Sequence, residues 1–250
     1  MQHDAPKKTR FFFTTTPMPC PYLEGRIEQR MVTELIGPDA TELGYRLSLA
    51  GFRRSHTISY APVCDGCSAC VSVRVPVRDF KPNKTQRKNV NRNADLSVEE
   101  HPPIATPEQY RLFKSYVNAR HFDGDMSLME EDDYSSMIEE TTVRTAVVEF
   151  HSAQGDLVAC VLIDYFEDGL SAIYSFYDAE QSSRSLGTYV VLWLIDYVRM
   201  QGLDYLYLGY WVQGSPKMEY KRNFKPLEGY TSSGWKRLSD GAFAKKGSDK

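Results

Sequence analysis

Residues 143–210 restrict the fold more than any other part of the chain. Three runs of strand length, 143–150, 157–164 and 170–177, follow one another with Gly155 and Asp168-Gly169 in the gaps. That spacing predicts an antiparallel meander of hairpins. An apolar stretch with helical periodicity runs from about 185 to 201, closed by Gly202, and a further strand is expected at 203–210. A meander with an apolar face needs a helix laid on it, so this half must be mixed α and β around one covered sheet. Residues 107–120 read as a helix capped by Thr106, with Tyr110, Phe113 and Val117 along one stripe. A basic helix is expected at 216–224.

The first half is shorter in its elements. Residues 26–36 suggest a strand with a charged face, and 39–50 a helix opened by Asp39 or Thr41 and ended by Gly51. Residues 52–60 and 71–77 alternate as strands do, and Pro76 marks an edge or an end. Residues 80–94 read as a connection, and Glu99-Glu100-His101-Pro102-Pro103 breaks regular structure. The division expected is a domain at 11–95, a second at 106–238 and a disordered polar tail at 239–250.

Charge is unevenly distributed. The net charge is −3 overall, yet from Arg74 to Arg92 seven bases (Arg74, Arg78, Lys81, Lys84, Arg87, Lys88 and Arg92) face one acid, Asp79. Such a stripe suits phosphate neutralisation; a solvated linker is the equally available alternative, and no base-reading motif is present. The longest apolar run, 190–195, is far short of the roughly 20 residues a membrane span needs. Phe11-Phe12-Phe13 is too short for the core of a signal peptide. The expectation is a cytoplasmic protein with reduced thiols. Cys64, Cys67 and Cys70 are spaced Cys-x2-Cys-x2-Cys, and Cys20 could supply a fourth thiolate to zinc or an iron–sulfur cluster; free or redox-sensitive thiols are the alternative. Cys160, inside an apolar run, is a core residue.

Two resemblances attach to these residues. The order strand–strand–strand–helix–strand–helix is similar to that of an acetyltransferase-like (GNAT-like) domain. There, helix N-terminal amides face the phosphates of an acyl carrier. The junction here is Arg184-Ser185-Leu186-Gly187-Thr188, a weak match to Arg/Gln-x-x-Gly-x-Gly/Ala; a plain glycine at a helix start is the alternative. Much more specific is Gly51-Phe52-Arg53-Arg54-Ser55 … Tyr60-Ala61-Pro62-Val63-Cys64-Asp65-Gly66-Cys67-Ser68-Ala69-Cys70, with Cys20-Pro21-Tyr22-Leu23. With Tyr174-Ser175-Phe176-Tyr177-Asp178, Ser185-Leu186-Gly187, Leu208-Gly209-Tyr210-Trp211 and Met218-Glu219-Tyr220-Lys221, it resembles the bacterial arginyl-tRNA–protein transferases. The match is closest to their aspartate/glutamate leucyltransferase subgroup and spans about 11–238.

That resemblance implies transfer of leucine from leucyl-tRNA to the N-terminal amine of proteins beginning with Asp or Glu, which marks them for N-end-rule degradation. Its partners are then a charged tRNA and a protein chain, not a membrane and not DNA. Eukaryotic relatives carry a Cys-x-x-Cys where this chain has Cys20 and Leu23, so their metal chemistry does not carry over directly. Alternatives are arginine as the transferred residue, an acetyl-CoA-dependent acetyltransferase, and a non-enzymatic RNA-binding module.

The chemistry sets its own requirements. An aminoacyl ester is already activated and an α-amine has a pKa near 8, so the reaction requires no cofactor and positioning dominates. An acid pocket needs cations: Arg53 or Arg54, which alternate in direction on a strand so that one faces a cleft while the other meets solvent, and Lys217 or Lys221, one helical turn apart. Tyr60, Tyr174, Tyr177, Tyr210 and Tyr220, with Gly187, are candidates to orient the aminoacyl end. Asp178 is a candidate to hold or deprotonate the amine.

Overall fold

The computed structural model describes residues 9–120, 124–239 and 241; the expected tail lies almost wholly outside them. Fourteen strands are β1 (Phe13–Thr14), β2 (Met18–Pro19), β3 (Ile27–Glu28), β4 (Arg30–Glu34), β5 (Arg53–Ser55), β6 (Ile58–Pro62), β7 (Cys70–Pro76), β8 (Ser97–His101), β9 (Thr145–His151), β10 (Leu157–Tyr165), β11 (Gly169–Tyr177), β12 (Tyr205–Val212), β13 (Glu228–Thr231) and β14 (Gly234–Arg237). The helices are α1 (Ala40–Leu49), α2 (Lys84–Arg92), α3 (Pro107–Arg120), α4 (Glu131–Glu139) and α5 (Leu186–Met200).

The fold is mixed α and β around a large, mostly antiparallel sheet, as expected. Its strand order is β14-β13-β7-β12-β11-β10-β9-β8. A smaller sheet, β1-β4-β6-β5, lies in the first half. The large sheet crosses the expected division of the chain. Strand β7 pairs with β12 on one side and β13 on the other. Pro76 is its last residue, so the strand ends there but is not an edge.

Both faces of the large sheet are covered. Helix α5 packs Leu186, Val190, Leu194, Ile195 and Val198 against Val73, Val75, Val161, Ile163 and Leu206. Helix α3 packs Phe113 and Val117 on the other side, with Tyr134 and Ile138 of α4 against Phe176, Leu162 and Cys160. Cys160 is fully buried. Burial on both faces explains why β10 is a continuous apolar run, not an alternating one.

Local signals held where their chemistry is self-contained. Thr106 accepts from the Gln109 amide at 3.2 Å and Gln109 answers through the Thr106 amide at 3.2 Å. Four expectations failed. Residues 52–60 are not one strand: β5 and β6 pair antiparallel as a hairpin that turns at His56 and Thr57. Residues 84–92 are a helix, set by a reciprocal cap: Asn83 Oδ1 accepts from the Gln86 amide at 3.0 Å, and Gln86 Oε1 from the Asn83 amide at 2.9 Å. The basic charges hid that box, because no apolar stripe accompanies it. Residues 97–101 form the edge strand β8, paired with β9. The expected helix at 216–224 is a turn followed by a 3-10 segment, Glu219–Asn223.

Candidate active site

In the large sheet, all pairings among the described residues are antiparallel except one. Strands β11 and β12 run parallel and pair only over Gly169↔Tyr205, Leu170↔Leu206 and Ser171↔Tyr207. Beyond that point β11 follows β10 and β12 follows β7. Irregularities occur on both sides, between Leu162 and Ile163 opposite β11 and between Tyr207 and Gly209 on β12. Gly209 has φ +71°, a backbone that disfavours any side chain. A wedge therefore opens between the two strands.

Arg53 fills this wedge. Its guanidinium donates to the carbonyls of Ala172 at 3.2 Å and Ile173 at 3.1 Å on β11. It also lies so close over Gly209 that a Cβ there would stand 1.4 Å from Arg53 Nη1. No carboxylate pairs with Arg53 among the described residues. The neighbouring Arg54 faces the other way and is buried. It donates bidentately to Asp164, Nε–Oδ2 2.6 Å and Nη2–Oδ1 2.8 Å, and Thr145 donates to the same carboxylate at 2.8 Å. The expectation that one arginine meets a cleft and the other solvent is corrected in its second half: Arg54 is a sealed ion pair. That pair fixes the rotation of β5 and so sends Arg53 into the wedge.

Lys221 comes from the 3-10 segment and is buried. Its Nζ donates to the Tyr210 carbonyl on β12 at 2.6 Å. Burial, and then the Arg53 charge, push its pKa well below the usual lysine value. Lys217 is exposed, so the two lysines do not share a face. The helix that would have aligned them is absent.

Aromatic rings line the approach. Tyr116 and Tyr177 have ring centroids 4.8 Å apart, and Arg120 donates to the Tyr177 hydroxyl at 3.4 Å. A Cβ on Gly187 would meet Tyr177 Cε1 at 2.7 Å, so glycine lets α5 begin against that ring. Among the described residues the buried Tyr174 hydroxyl has no hydrogen-bond partner, and burial raises its pKa. Tyr220 is 44% exposed and stands edge-on to Phe224. Helix α5 begins at Ser185, which is left-handed at φ 51°. The amides of Leu186 and Gly187 precede its hydrogen-bond ladder.

Three candidates have their polar groups engaged within the fold. Tyr210 is buried, and its one hydroxyl proton is shared between the Tyr60 carbonyl at 3.0 Å and the Gly51 carbonyl at 3.2 Å, joining the two sheets. The Tyr60 ring lies tilted beside it, centroids 6.1 Å apart, and receives the Arg30 guanidinium at 4.9 Å from its ring centre. Asp178 uses both oxygens within its own turn, accepting from the Glu180 amide at 2.9 Å and Gln181 Nε2 at 2.8 Å. It shapes the turn that leads to α5.

The basic stripe divides. Arg74 is buried and caged: Nε donates to Glu228 at 2.9 Å, Nη1 to the Tyr207 hydroxyl at 3.0 Å, and its guanidinium lies 3.5 Å from the Tyr205 ring centre. It cannot meet a phosphate. Arg78 is exposed and paired with Asp204 at 2.8 Å. Lys81, Lys84, Arg87, Lys88 and Arg92 are exposed on or just before α2. The other face of α2 clamps the start of α5. Asn89 Nδ2 donates to the Arg184 carbonyl at 2.8 Å, Asn93 Nδ2 to the same carbonyl at 3.0 Å, and Arg92 reaches the Ser183 carbonyl. The sequence carried this clamp only as asparagines among bases.

Cys64, Cys67 and Cys70 line one open pocket of about 590 Å³ with Tyr230. All five cysteines are free. Burial, then neighbouring Cys20, Cys67 and Cys64, push the Cys70 thiol up to about 12, so it is protonated. Among the described residues no group of three His, Cys, Asp or Glu side chains is arranged to hold a metal ion.

The mostly antiparallel sheet thus opens at its parallel pair, beside the start of a helix, in the mixed α and β arrangement implied by the element order. The chain belongs to the arginine-tRNA–protein transferase family, whose N-terminal model matches residues 18–88 and whose C-terminal model matches 108–231. It is similar to proteins named aspartate/glutamate leucyltransferase: 51% identical to that of Gluconacetobacter diazotrophicus, over 95% of this chain and 92% of the relative. For Rhodospirillum rubrum the identity is 52%, over 91% and 93%. For Paramagnetospirillum magneticum it is 48%, over 96% and 99%. Among solved structures it is similar to L-PGS from Bacillus licheniformis, at 14% identity and TM-score 0.45 over 72% of this chain and 52% of that one.

Proposed function

We propose that this protein transfers leucine from leucyl-tRNA to the N-terminal amine of proteins beginning with Asp or Glu, a cytoplasmic step that commits them to N-end-rule degradation. The observation that carries this reading is Arg53: a half-buried guanidinium in the sheet wedge with two carbonyl contacts and no carboxylate. A guanidinium held out of water favours an anionic partner in bidentate geometry. The acidic side chain of the acceptor supplies one. The names of the relatives supply the same chemistry independently.

The charged tRNA lies along α2, where Lys81, Lys84, Arg87, Lys88 and Arg92 meet phosphates. It reaches the start of α5, which α2 holds through Asn89 and Asn93. Its aminoacyl end enters the wedge past Tyr116, Tyr174 and Tyr177. The amine attacks the ester carbonyl, the carbon–nitrogen bond forms, and the terminal ribose oxygen leaves. Developing negative charge on the carbonyl oxygen faces the first amides of α5. No covalent enzyme intermediate is required. In this reading residues 11–95 present the acceptor pocket and the tRNA helix, and 106–238 carry most of the acyl-transfer sheet, which β7 joins from the first part.

The test is direct. The protein is incubated with an Asp-starting peptide and either leucyl-tRNA, arginyl-tRNA or acetyl-CoA, and the product is identified by mass. Leucyl addition is expected. Arginyl or acetyl addition instead would replace the donor in this reading, and no addition with any donor would end it.

A further inference from the structure

Lys221 has no role in the account above, and its surroundings are unusual for a lysine. It is buried with one hydrogen-bond acceptor, the Tyr210 carbonyl at 2.6 Å. No carboxylate pairs with it among the described residues. The charged and titratable groups facing it are Arg53 from β5, Tyr210 from β12 and Tyr220 from its own segment, whose ring centre is 5.8 Å from Nζ. Beyond these stand Tyr22, Tyr60 and Cys70 around Tyr210, and Tyr177 beside Tyr220. Apart from Arg53 these are phenols and a thiol, and no carboxylate among the described residues offsets the charge of an ammonium there. A buried ammonium beside a guanidinium is disfavoured, and burial alone shifts lysines strongly toward the free amine. The single bond to a carbonyl needs only one N–H, which a neutral amine supplies while keeping its lone pair.

Resting on the reading of the wedge as the transfer site, we propose that Lys221 is the proton acceptor for the acceptor protein's α-ammonium. Its lone pair takes one proton from the ammonium, which becomes the amine that attacks the ester carbonyl. As the tetrahedral intermediate collapses, a proton on the new nitrogen passes to the departing ribose oxygen. The products are an amide and a free ribose hydroxyl. The proton held by Lys221 leaves to solvent before the next turnover. Nearness to Arg53 places this base beside the group that binds the acidic side chain, one short chain segment from the amine it must deprotonate.

Two measurements on the full chain decide it. In single-turnover transfer from leucyl-tRNA at saturating Asp-starting peptide, Lys221→Gln keeps a donor for the Tyr210 carbonyl but cannot take a proton. We expect at least a hundredfold slower transfer, tRNA affinity within threefold of wild type, and loss of the acidic inflection in the rate–pH profile. Transfer within fivefold of wild type, or an unchanged inflection, overturns the proposal. The second measurement needs neither transfer nor a variant: wild-type protein is pulsed with acetic anhydride between pH 6 and 11 and acetylation of Lys221 is read by mass spectrometry. Half-maximal reactivity well below the ordinary lysine value near 10.4 is expected. A midpoint at the ordinary value, or no acetylation at any pH, overturns it, since a base that meets substrate must be free of its proton at neutral pH and reachable. Should wild type fail to transfer leucine, the proposed function falls while the labelling still reports on Lys221.

Discussion

Arg53 and Arg74 enter the same sheet from different strands and end in opposite states. Arg74 meets Glu228, the Tyr207 hydroxyl and the face of Tyr205, and Asp168 stands 3.9 Å away. Arg53 meets two backbone carbonyls and a glycine. Both sites remove a guanidinium from water, but only one returns the lost solvation with carboxylates. A cation whose counter-charges are built in belongs to the scaffold. A cation held half-buried without one is held for something that arrives. Arg54, sealed on Asp164 one residue away, shows that the chain can supply a carboxylate in this neighbourhood when structure requires it.

Removing a caged cation should cost the most. Arg74→Met leaves Glu228 and the Asp168 carboxylate covered and unpaired, and should destabilise by about 3–5 kcal/mol. Chemical denaturation checks this, with activity per folded molecule preserved. A loss below about 1 kcal/mol would erase the contrast.

Removing the uncaged cation should do the reverse. Arg53→Gln should leave the denaturation midpoint nearly unchanged and reduce transfer to an Asp-starting peptide by about 2–4 kcal/mol, a hundredfold or more. Wild type should favour Asp- over Asn-starting peptides by a similar factor, and the variant should lose that preference. Retained discrimination in Arg53→Gln would place the acid pocket elsewhere.

Gly187→Ala sharpens the comparison from the donor side. Its Cβ would press on the Tyr177 ring at 2.7 Å, and overpacking of this kind costs about 1–3 kcal/mol. Because the strain sits where α5 begins, the loss should fall on transfer from leucyl-tRNA, and Tyr177→Leu in the same chain should restore part of it. Steady-state kinetics on the two variants decide this.

The smallest effects belong to the exposed bases. Lys84→Ala, Arg87→Ala and Lys88→Ala, taken singly, should each reduce the slope of log tRNA affinity against log salt by roughly 0.7–0.9. Arg74 variants corrected for unfolding should not change that slope. Equal slopes in all of them would make α2 a solvated face.

Much of the fold was legible because its signals are local. The three-strand meander, the capping box at Thr106 and the apolar helix α5 each follow from residues within a turn or a period of one another. The reciprocal cap at Asn83 and Gln86 was equally local, yet it was masked by five bases that carry no stripe. The edge strand β8 was hidden because an exposed edge needs only half an apolar pattern, and the pairing partner β9 supplies the rest.

The amino-acid order alone determined the family, the covered mixed sheet, the basic stretch and the proximity of Arg53 to Arg54. Tertiary structure decided which of those charges is free. Arg54 found Asp164, 110 residues away, and Arg74 found Glu228, 154 residues away. Lys221 found only a carbonyl. A charge in a sequence has no counter-ion until the chain is folded, because that partner is set by strand register and sheet order. The same registry opened the wedge, since β11 and β12 pair for three residues and then follow different neighbours.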